Sequence, residues 1–205
     1  MIHDLSVQLV SAWHETSWVE LLAAALALVY VPLAIGQRLS CWAAAFVSSV
    51  LYLWVFFSAR LYMESALNVF FAAMAVYGFW QWRQGSEGGA LEVSRWPPLR
   101  HVLALMGIAA VAGVNGYFLA RFTPAANPFI DSMLAWSSVF TTFLVARKVY
   151  ENWYWWLLID SISACLYFTR HLYLTMLLYG VYVVLCVIGM REWRRSLSAA
   201  AYAAA

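Results

Sequence analysis

The stretch that decides the fold is residues 151–168, with the sequence ENWYWWLLIDSISACLYF. It is typical of an apolar helix, and at 100° per residue most of its polar side chains and some of its aromatic ones fall on one face. A carboxylate inside hydrocarbon costs roughly 2.5–3.5 kcal/mol, so Asp160 is seldom left facing lipid. The face therefore predicts a polar cavity within a membrane protein, lined by tryptophan rings and one negative charge. Its members are Asn152, Trp153, Trp156, Asp160, Ser163 and Tyr167.

The composition of the whole chain predicts an integral membrane protein whose main surroundings are the lipid bilayer. Of its 205 residues, 65% are hydrophobic and only 11% are charged. A spanning helix takes about 20 apolar residues, and seven such runs follow one another with short connections. The net charge of +2 is too small and too dispersed to indicate a nucleic-acid partner. The runs are Ser17–Ile35, Ser40–Ser58, Leu61–Trp82, Pro98–Ala120, Pro128–Ala146, Trp153–Thr169 and Leu172–Met190.

The distribution of Arg and Lys predicts the orientation of these helices. With the N-terminus outside, the inner connections hold nine basic residues and the outer connections hold three. Basic residues concentrate on the cytoplasmic side, so we expect an external N-terminus and a cytoplasmic C-terminus. Residues 1–16 show no apolar core of a cleavable signal peptide. The inner set is Arg38, Arg83, Arg95, Arg100, Arg147, Lys148, Arg191, Arg194 and Arg195, and the outer set is Arg60, Arg121 and Arg170.

An internal repeat organises the seven helices. A shift of 111 residues superposes Ser17–Gln84 on Pro128–Arg195 without a gap, with matches that include Trp42/Trp153. The fourth helix is left over as a linker, so the two triplets run the same way and a ligand site is expected between them near the midplane. The predicted fold is an all-α membrane protein with seven transmembrane helices, arranged as two parallel three-helix repeats joined by a linker helix (3+1+3). The predicted parts are an N-terminal segment (1–16), a first repeat (17–97), a linker helix (98–127), a second repeat (128–195) and a C-terminal tail (196–205).

Polar and aromatic residues inside the predicted spans are the candidates for ligand contact. Each has a structural alternative: the tryptophans and Tyr167 as interfacial belt residues, Asn68 as a bond between helices, and the threonines bonding back to their own helix. Asp160 has the alternative of a structural or subunit contact, and Glu64 that of a solvated surface residue. The candidates are Glu64, Asn68, Gln81, Thr141, Thr142, Asn152, Trp153, Trp156, Asp160 and Tyr167.

The sequence contains no motif for hydrolysis, ATP-driven pumping or metal binding. G-x-S-x-G, H-E-x-x-H and the Walker loop are all absent. The four histidines sit at loops or helix ends without ligand spacing, and the three cysteines show no C-x-x-C pattern. We therefore expect neither catalytic residues nor a cofactor nor a metal, and the chain is not expected to be an enzyme.

Several motifs resemble those of the PnuC-type nicotinamide riboside transporters. Residues 151–160 carry the pattern E-N-W-x-x-W-x-x-x-D, preceded by Ala-Arg-Lys at 146–148. Residues 64–68, ESALN, lead into YGFWQW at 77–82, and Arg-Glu-Trp follows at 191–193. One departure is Phe79, where the family pattern has tryptophan. The resemblance extends over all seven predicted helices.

The resemblance implies a 3+1+3 layout similar to that of the SWEET sugar transporters, homotrimeric assembly and one pore per subunit. It also implies facilitated diffusion of nicotinamide riboside across the bacterial inner membrane for NAD biosynthesis, made one-way by phosphorylation in the cytoplasm. Related transporters of thiamine or riboflavin share the layout, so another B vitamin remains an alternative. A vitamin-binding membrane receptor subunit is a further alternative, and coupling to an ion through Asp160 or Glu64 stays open.

The chemistry of the riboside suits the predicted cavity. Nicotinamide riboside is a pyridinium cation with a carboxamide and three hydroxyl groups. Tryptophan faces hold such a ring by stacking and cation–π attraction, worth up to about 2 kcal/mol when desolvated. Asp160 is expected to balance the charge, while amide and hydroxyl side chains bind the carboxamide and the ribose.

Overall fold

The structure, a computed structural model, describes residues 17–60, 62–85, 91–124 and 127–203. Within these ranges the chain forms seven α-helices, which confirms the predicted number. The predicted N-terminal segment, residues 1–16, lies outside the described residues. The helices are α1 (Trp18–Ile35), α2 (Ser40–Ser58), α3 (Tyr62–Gln84), α4 (Pro98–Phe122), α5 (Pro128–Ala146), α6 (Asn152–Thr169) and α7 (Tyr173–Ala203).

Five of these helices are long and apolar enough to cross a membrane. They are α1, α2, α4, α5 and the part of α7 from Thr175 to Ser198. The sequence predicted seven membrane-spanning helices, and length and composition support five of them. The other two helices, α3 and α6, carry most of the polar binding candidates, and those polar side chains lower their mean hydropathy.

Helix α7 is longer than the sequence predicted. The predicted span ended at Met190 and residues 196–205 were expected to form a separate tail, whereas α7 continues to Ala203. Alanine has the highest intrinsic helix propensity, and the segment after Leu197 is rich in alanine. The alanine-rich segment therefore extends the last helix up to the end of the described chain.

Tight turns join most of the helices. After α1, α2, α5 and α6 one residue adopts a left-handed conformation: Gln37 (φ 52°), Arg60 (φ 61°), Lys148 (φ 48°) and His171 (φ 58°). In three of these turns the residue after the left-handed one donates its amide to the carbonyl oxygen of the residue five positions before it, at 2.9 or 3.0 Å. Such bonds close the last turn of a helix, and the short turns keep consecutive helices side by side.

The helices pack in two groups that meet at two places. In the first group α2 packs against both α1 and α3, and in the second group α6 packs against both α5 and α7. The groups meet where α3 packs against α5 and where α1 packs against α7. Among the described elements α4 packs against α5, at the side of the bundle.

The connection between α3 and α4 docks on the turn that precedes α6. Ser94 pairs with Val149 in a single parallel β-bridge. The amide of Trp96 donates to Oε2 of Glu151 at 3.1 Å, and Nε of Arg95 lies 3.9 Å from Oε1 of the same carboxylate. The first turn of α6, which bears much of the candidate site, is thereby held in place from outside the helix.

Candidate functional site

A cavity of about 360 Å³ lies where six of the seven helices meet, with α4 excluded from its wall. This volume falls within the range of small-molecule sites. The wall consists mostly of aromatic and small apolar side chains. Among the described residues that line the cavity, Asp160 is the only carboxylate, and none is lysine, arginine or histidine.

Half of the predicted site residues line this cavity. Asp160 is only 5% exposed, and its Oδ2 accepts a hydrogen bond from Sγ of Cys186 at 3.5 Å. None of the ion pairs formed in the described part of the chain involves Asp160. Its carboxyl group is therefore free to pair with a cationic ligand. The predicted residues in the wall are Asn68, Thr142, Trp153, Trp156 and Asp160.

The two predicted tryptophans differ in how firmly they are held. Trp153 is 3% exposed, and its ring packs so closely on Gly189 that a Cβ atom at that glycine would lie 2.5 Å from it. Trp156 is half-buried and packs on the edge of the apolar core. Trp153 is thus part of the packing between α6 and α7, whereas Trp156 has more of its surface free for a ligand.

Asn68 and Thr142 each use one hydrogen bond within their own helix. Nδ2 of Asn68 donates to the carbonyl oxygen of Glu64 at 2.9 Å, and Oγ1 of Thr142 donates to that of Ser138 at 2.8 Å. These bonds are of the kind expected for polar residues in apolar helices. They leave Oδ1 of Asn68 and a lone pair of the threonine oxygen able to accept from a ligand.

Two predicted residues are buried in the protein outside the cavity wall. Asn152 is 0% exposed, and its Nδ2 donates to the carbonyl oxygen of Val149 at 2.6 Å, in the turn just before α6. Thr141 is also 0% exposed and donates to the carbonyl oxygen of Ser137 at 2.7 Å. The structure brings neither side chain to the cavity.

The remaining three predicted residues lie farther out. Glu64 is exposed in the first turn of α3. Nε2 of Gln81 donates to the hydroxyl of Tyr77 at 2.9 Å. Tyr167 stacks on Tyr179, with ring centroids 5.3 Å apart. Tyr179 is itself in the wall, so Tyr167 supports a residue of the cavity instead of lining it.

Sequence reasoning missed several aromatic residues of the wall. Trp42 occupies the position that matches Trp153 after a shift of 111 residues, so the repeat carried the signal that identifies it. The tyrosines gave no such signal, because tyrosine in an apolar helix is equally typical of the membrane interface. The missed residues are Tyr30, Trp42, Tyr52, Phe71, Tyr179 and Tyr182.

Four buried tryptophans, here called the tryptophan quartet, join the two helix groups at the end of the cavity where α1 and α5 finish. Nε1 of Trp82 donates to the carbonyl oxygen of Val145, and Nε1 of Trp193 donates to that of Ala34, both at 3.2 Å. Two edge-to-face contacts, each with centroids 5.4 Å apart, complete the set. The quartet consists of Trp42, Trp82, Trp153 and Trp193.

A buried lysine lies against the quartet. Nζ of Lys148 is 4.6 Å from the centroid of the Trp82 ring, and the residue is only 7% exposed. Removal from water disfavours the charged ammonium, so burial lowers the pKa of Lys148 below its ordinary value of 10.5. No ion pair of the described residues includes Lys148. The aromatic face of Trp82 partly compensates for this missing counter-charge.

Six helices surround a cavity lined mostly by aromatic and small apolar side chains and by one carboxylate. Five of the seven described helices are long and apolar enough to cross a membrane, so the fold is that of a membrane protein with an internal cavity of ligand size. The chain belongs to the nicotinamide mononucleotide transporter family, whose sequence model matches residues 17–195. It is therefore a multi-pass membrane transporter and not an enzyme. The resemblance to PnuC-type transporters drawn from the sequence motifs is confirmed.

Two relatives indicate the range of this family. The chain is 27% identical over 209 residues to the nicotinamide riboside transporter PnuC of Escherichia coli (strain K12), a match that covers 89% of this chain and 87% of that protein. It is 24% identical over 181 residues to the riboflavin/roseoflavin transporter RibM of Streptomyces davaonensis, covering 86% and 84% of the two chains.

A solved structure shows the same fold. The crystal structure of the vitamin B3 transporter PnuC superposes with a TM-score of 0.68 at 20% sequence identity. The superposition covers 96% of this chain and 89% of that one. The helical bundle described above is therefore the fold of a known vitamin transporter.

Proposed function

We propose that this protein carries nicotinamide riboside across the bacterial inner membrane by facilitated diffusion. The observation that carries the proposal is the Asp160 carboxylate, which is buried, free of any cationic partner among the described residues, and set in the wall of an aromatic cavity. A buried charge without a partner is expensive, and a cationic ligand supplies that partner. The riboside transporter among the relatives supports the same substrate.

The cavity has a group for each part of the riboside. The face of Trp156 stacks on the pyridinium ring, and Asp160 balances its charge. Oδ1 of Asn68 and the hydroxyl of Thr142 bind the carboxamide and the ribose hydroxyls, together with the tyrosine hydroxyls of the wall. Stacking with cation–π attraction is worth up to about 2 kcal/mol in a desolvated site, so the tryptophan and the carboxylate are the main contributors to affinity.

Phosphorylation after entry makes the uptake one-way. A phosphate group adds negative charge, and the described wall of the cavity offers it no lysine, arginine or histidine. Desolvating an unpaired phosphate beside Asp160 is unfavourable, because like charges repel in a medium of low dielectric constant. The mononucleotide formed in the cytoplasm therefore does not return through the cavity, and no ion gradient is needed.

The proposed architecture is a pair of parallel three-helix repeats, residues 17–97 and 128–195, joined by the linker helix α4. Seven pairs of cavity-lining residues stand 111 positions apart, which is the offset of the sequence repeat. The two tryptophan bonds from Trp82 to Val145 and from Trp193 to Ala34 are related by the same offset. The pairs are Val31/Thr142, Ala34/Val145, Trp42/Trp153, Ala45/Trp156, Ser49/Asp160, Asn68/Tyr179 and Phe71/Tyr182.

Orientation and assembly complete the proposal. Nine basic residues against three favour an external N-terminus and a cytoplasmic C-terminus. This orientation places the tryptophan quartet at the cytoplasmic end of the cavity. Homotrimeric assembly, with one pore in each subunit, rests on the resemblance to the PnuC-type transporters.

A flavin is a second candidate substrate. RibM, a riboflavin/roseoflavin transporter, aligns with most of this chain, and the aromatic wall would stack on any flat ring system, thiamine included. Riboflavin is neutral, so its affinity would not depend on Asp160. A receptor subunit would bind a vitamin in the same cavity without moving it.

The proposed function is tested by measuring both transport and binding with the same purified full-length protein. Labelled riboside should enter liposomes that contain the protein until its concentration is equal on both sides, with no ion gradient imposed. Liposomes without the protein serve as the control. Calorimetry should show that the riboside binds at least tenfold more tightly than its mononucleotide, a difference of about 1.4 kcal/mol. Equal binding of the two would contradict the trapping step, and binding without entry would indicate a receptor.

Selectivity between vitamins is measured by competition. Unlabelled riboflavin and thiamine are added in excess to the same liposomes. Unlabelled nicotinamide riboside, added at the same concentration as the positive control, should abolish the labelled uptake, whereas riboflavin and thiamine should leave most of it intact. Stronger inhibition by riboflavin, unchanged by Asp160→Asn, would replace the proposed substrate by a flavin.

A further inference from the structure

A second cavity of about 360 Å³ lies on the side of the bundle, away from the substrate cavity. It arises because α4 packs against α5 and α5 also packs against α3, whereas α3 and α4 share no packing contact of their own. A groove is left between α3 and α4, with α5 as its floor. Val111 and Trp136, on its rim, are exposed on the surface of the bundle.

The lining of this groove is apolar throughout. It is formed by aliphatic and aromatic side chains together with Gly107, where an added Cβ atom would meet nothing within 4 Å. The missing side chain of Gly107 thus widens the groove. A groove of this kind suits a hydrocarbon chain, because almost all of its lining is carbon.

Two cations flank one end of the groove. Arg100 lies over the ring of Trp96, 5.3 Å from its centroid, and Trp96 packs against the groove residue Phe143 with centroids 6.2 Å apart. Tyr77 stacks on the ring of Phe143 with centroids 6.3 Å apart, and its hydroxyl accepts a hydrogen bond from Nη1 of Arg147 at 3.3 Å.

Both arginines are exposed, and neither takes part in the ion pairs of the described residues. Arg100 stands seven residues before Gly107 on α4, which is about 10 Å along the helix axis. The positive charges therefore lie at the end of an apolar groove, about as far from its middle as a headgroup lies from the upper part of its acyl chain.

We propose that this groove and the two arginines bind one anionic phospholipid, with an acyl chain in the groove and the phosphate at Arg100 and Arg147. Basic pockets between transmembrane helices bind acidic headgroups on the cytoplasmic side, and the orientation proposed above places both arginines there. The ring of Trp96 orients the guanidinium group of Arg100 and the hydroxyl of Tyr77 orients that of Arg147, so less side-chain entropy is lost on binding. The site does not depend on the identity of the transported vitamin.

Native mass spectrometry of the full-length protein tests the site. Phosphatidylglycerol and phosphatidylcholine with identical acyl chains are added in turn to delipidated protein. Phosphatidylglycerol should bind more tightly than phosphatidylcholine. Arg100→Gln and Arg147→Gln should each weaken the affinity for phosphatidylglycerol roughly fivefold, the scale of one arginine near an anionic lipid. Arg121→Gln removes an exposed arginine from the opposite end of α4 and is the matched control, with binding as in the wild type.

A second variant tests the groove itself. Gly107→Leu fills the open space with a side chain and should reduce binding of phosphatidylglycerol while leaving the helices intact. Equal binding of the two lipids, or unchanged binding in the double variant Arg100→Gln/Arg147→Gln, would overturn the proposal. A change of oligomeric mass in Gly107→Leu with lipid binding intact would also overturn it, since the groove would then hold a second copy of the chain.

Discussion

Lys148 and Gln37 meet across the two helix groups, where Nζ of the lysine donates to Oε1 of the glutamine at 3.1 Å. The two residues are 111 positions apart, so in the proposed repeat each is the counterpart of the other and a pseudo-two-fold axis passes between them. Both adopt left-handed backbone conformations in equivalent turns, with φ of 48° and 52°. Two lysines at this position would repel each other, and pairing lysine with an amide avoids that repulsion.

This bond should contribute measurably to the stability of the bundle at the end where α1 and α5 finish. A hydrogen bond to a charged group is worth roughly 1.5–3 kcal/mol, and we expect a coupling energy of that size between Gln37→Met and Lys148→Met. The measurement is a double-mutant cycle on the free energy of unfolding. The cycle cancels the separate contacts of Gln37 with Ser196 and of Lys148 with Trp82. Additive effects of the two substitutions would show that the turns do not hold each other.

Trp156 should be the tryptophan whose loss weakens binding without loss of the fold. Trp156→Ala is expected to lower riboside affinity by roughly 1–3 kcal/mol, the scale of base stacking on an aromatic side chain. Trp54→Ala, at a position that is 68% exposed on α2, is the control and should leave the affinity unchanged. Calorimetry measures both. An unaltered affinity in a folded Trp156→Ala protein would return this residue to a packing role.

Trp153 needs a different experiment, because its ring fills the space above Gly189. Trp153→Ala would leave a buried cavity and lose roughly 3–5 kcal/mol of stability, which masks any effect on binding. The contact is better tested from the other side. Gly189→Ala would force a Cβ atom to 2.5 Å from the ring and should lower the free energy of unfolding by roughly 1–3 kcal/mol.

Gly180→Ala, on the same helix, is the matched control for this steric effect. A Cβ atom there meets nothing within 4 Å, and alanine is the better helix former by up to about 1 kcal/mol. Its free energy of unfolding should be equal to that of the wild type or higher. If both variants lose the same stability, the close approach between Gly189 and Trp153 has no energetic consequence.

Asp160 should act as a counter-charge and not as a proton carrier. Asp160→Asn is expected to weaken riboside binding, and transport by the wild type should be indifferent to an imposed pH gradient. A monovalent cation is already drawn inward by about 2.3 kcal/mol per 100 mV of membrane potential, so coupling is not required. Accumulation driven by an acidic exterior, in liposomes whose membrane potential is held at zero, would show that Asp160 or another group carries a proton.

The helices were predictable from the sequence because each apolar run is long and bounded by turn residues. The starts and ends of α2 and α5 were predicted to the residue. The end of α7 was not, since a low-complexity alanine segment after Leu197 gives no hydrophobic pattern although alanine favours the helix. Pattern and propensity pointed in different directions there, and propensity determined the structure.

The candidate site was only partly predictable, because a helical face gives the direction of a side chain but not what stands opposite. Asp160 and Trp156 do line the cavity, as their shared face predicted. Thr141 also lies on an inward face, but the protein around it leaves no open space, and its hydroxyl bonds within its own helix. The tyrosines of the wall were missed because they come from α1, α2 and α7, helices with no polar stripe to mark them.

In the proposed repeat the counterpart of Asp160 is Ser49, and both residues line the cavity wall. The cavity therefore has nearly two-fold symmetric walls, but the one carboxyl group among its described residues lies on one side only. A flat cation rotated by half a turn about the pseudo-two-fold axis would fit the same outline, yet it would face a hydroxyl where it needs a carboxylate. One pose is therefore favoured over the pose related to it by this half-turn, and the ligand keeps its charged flank towards α6.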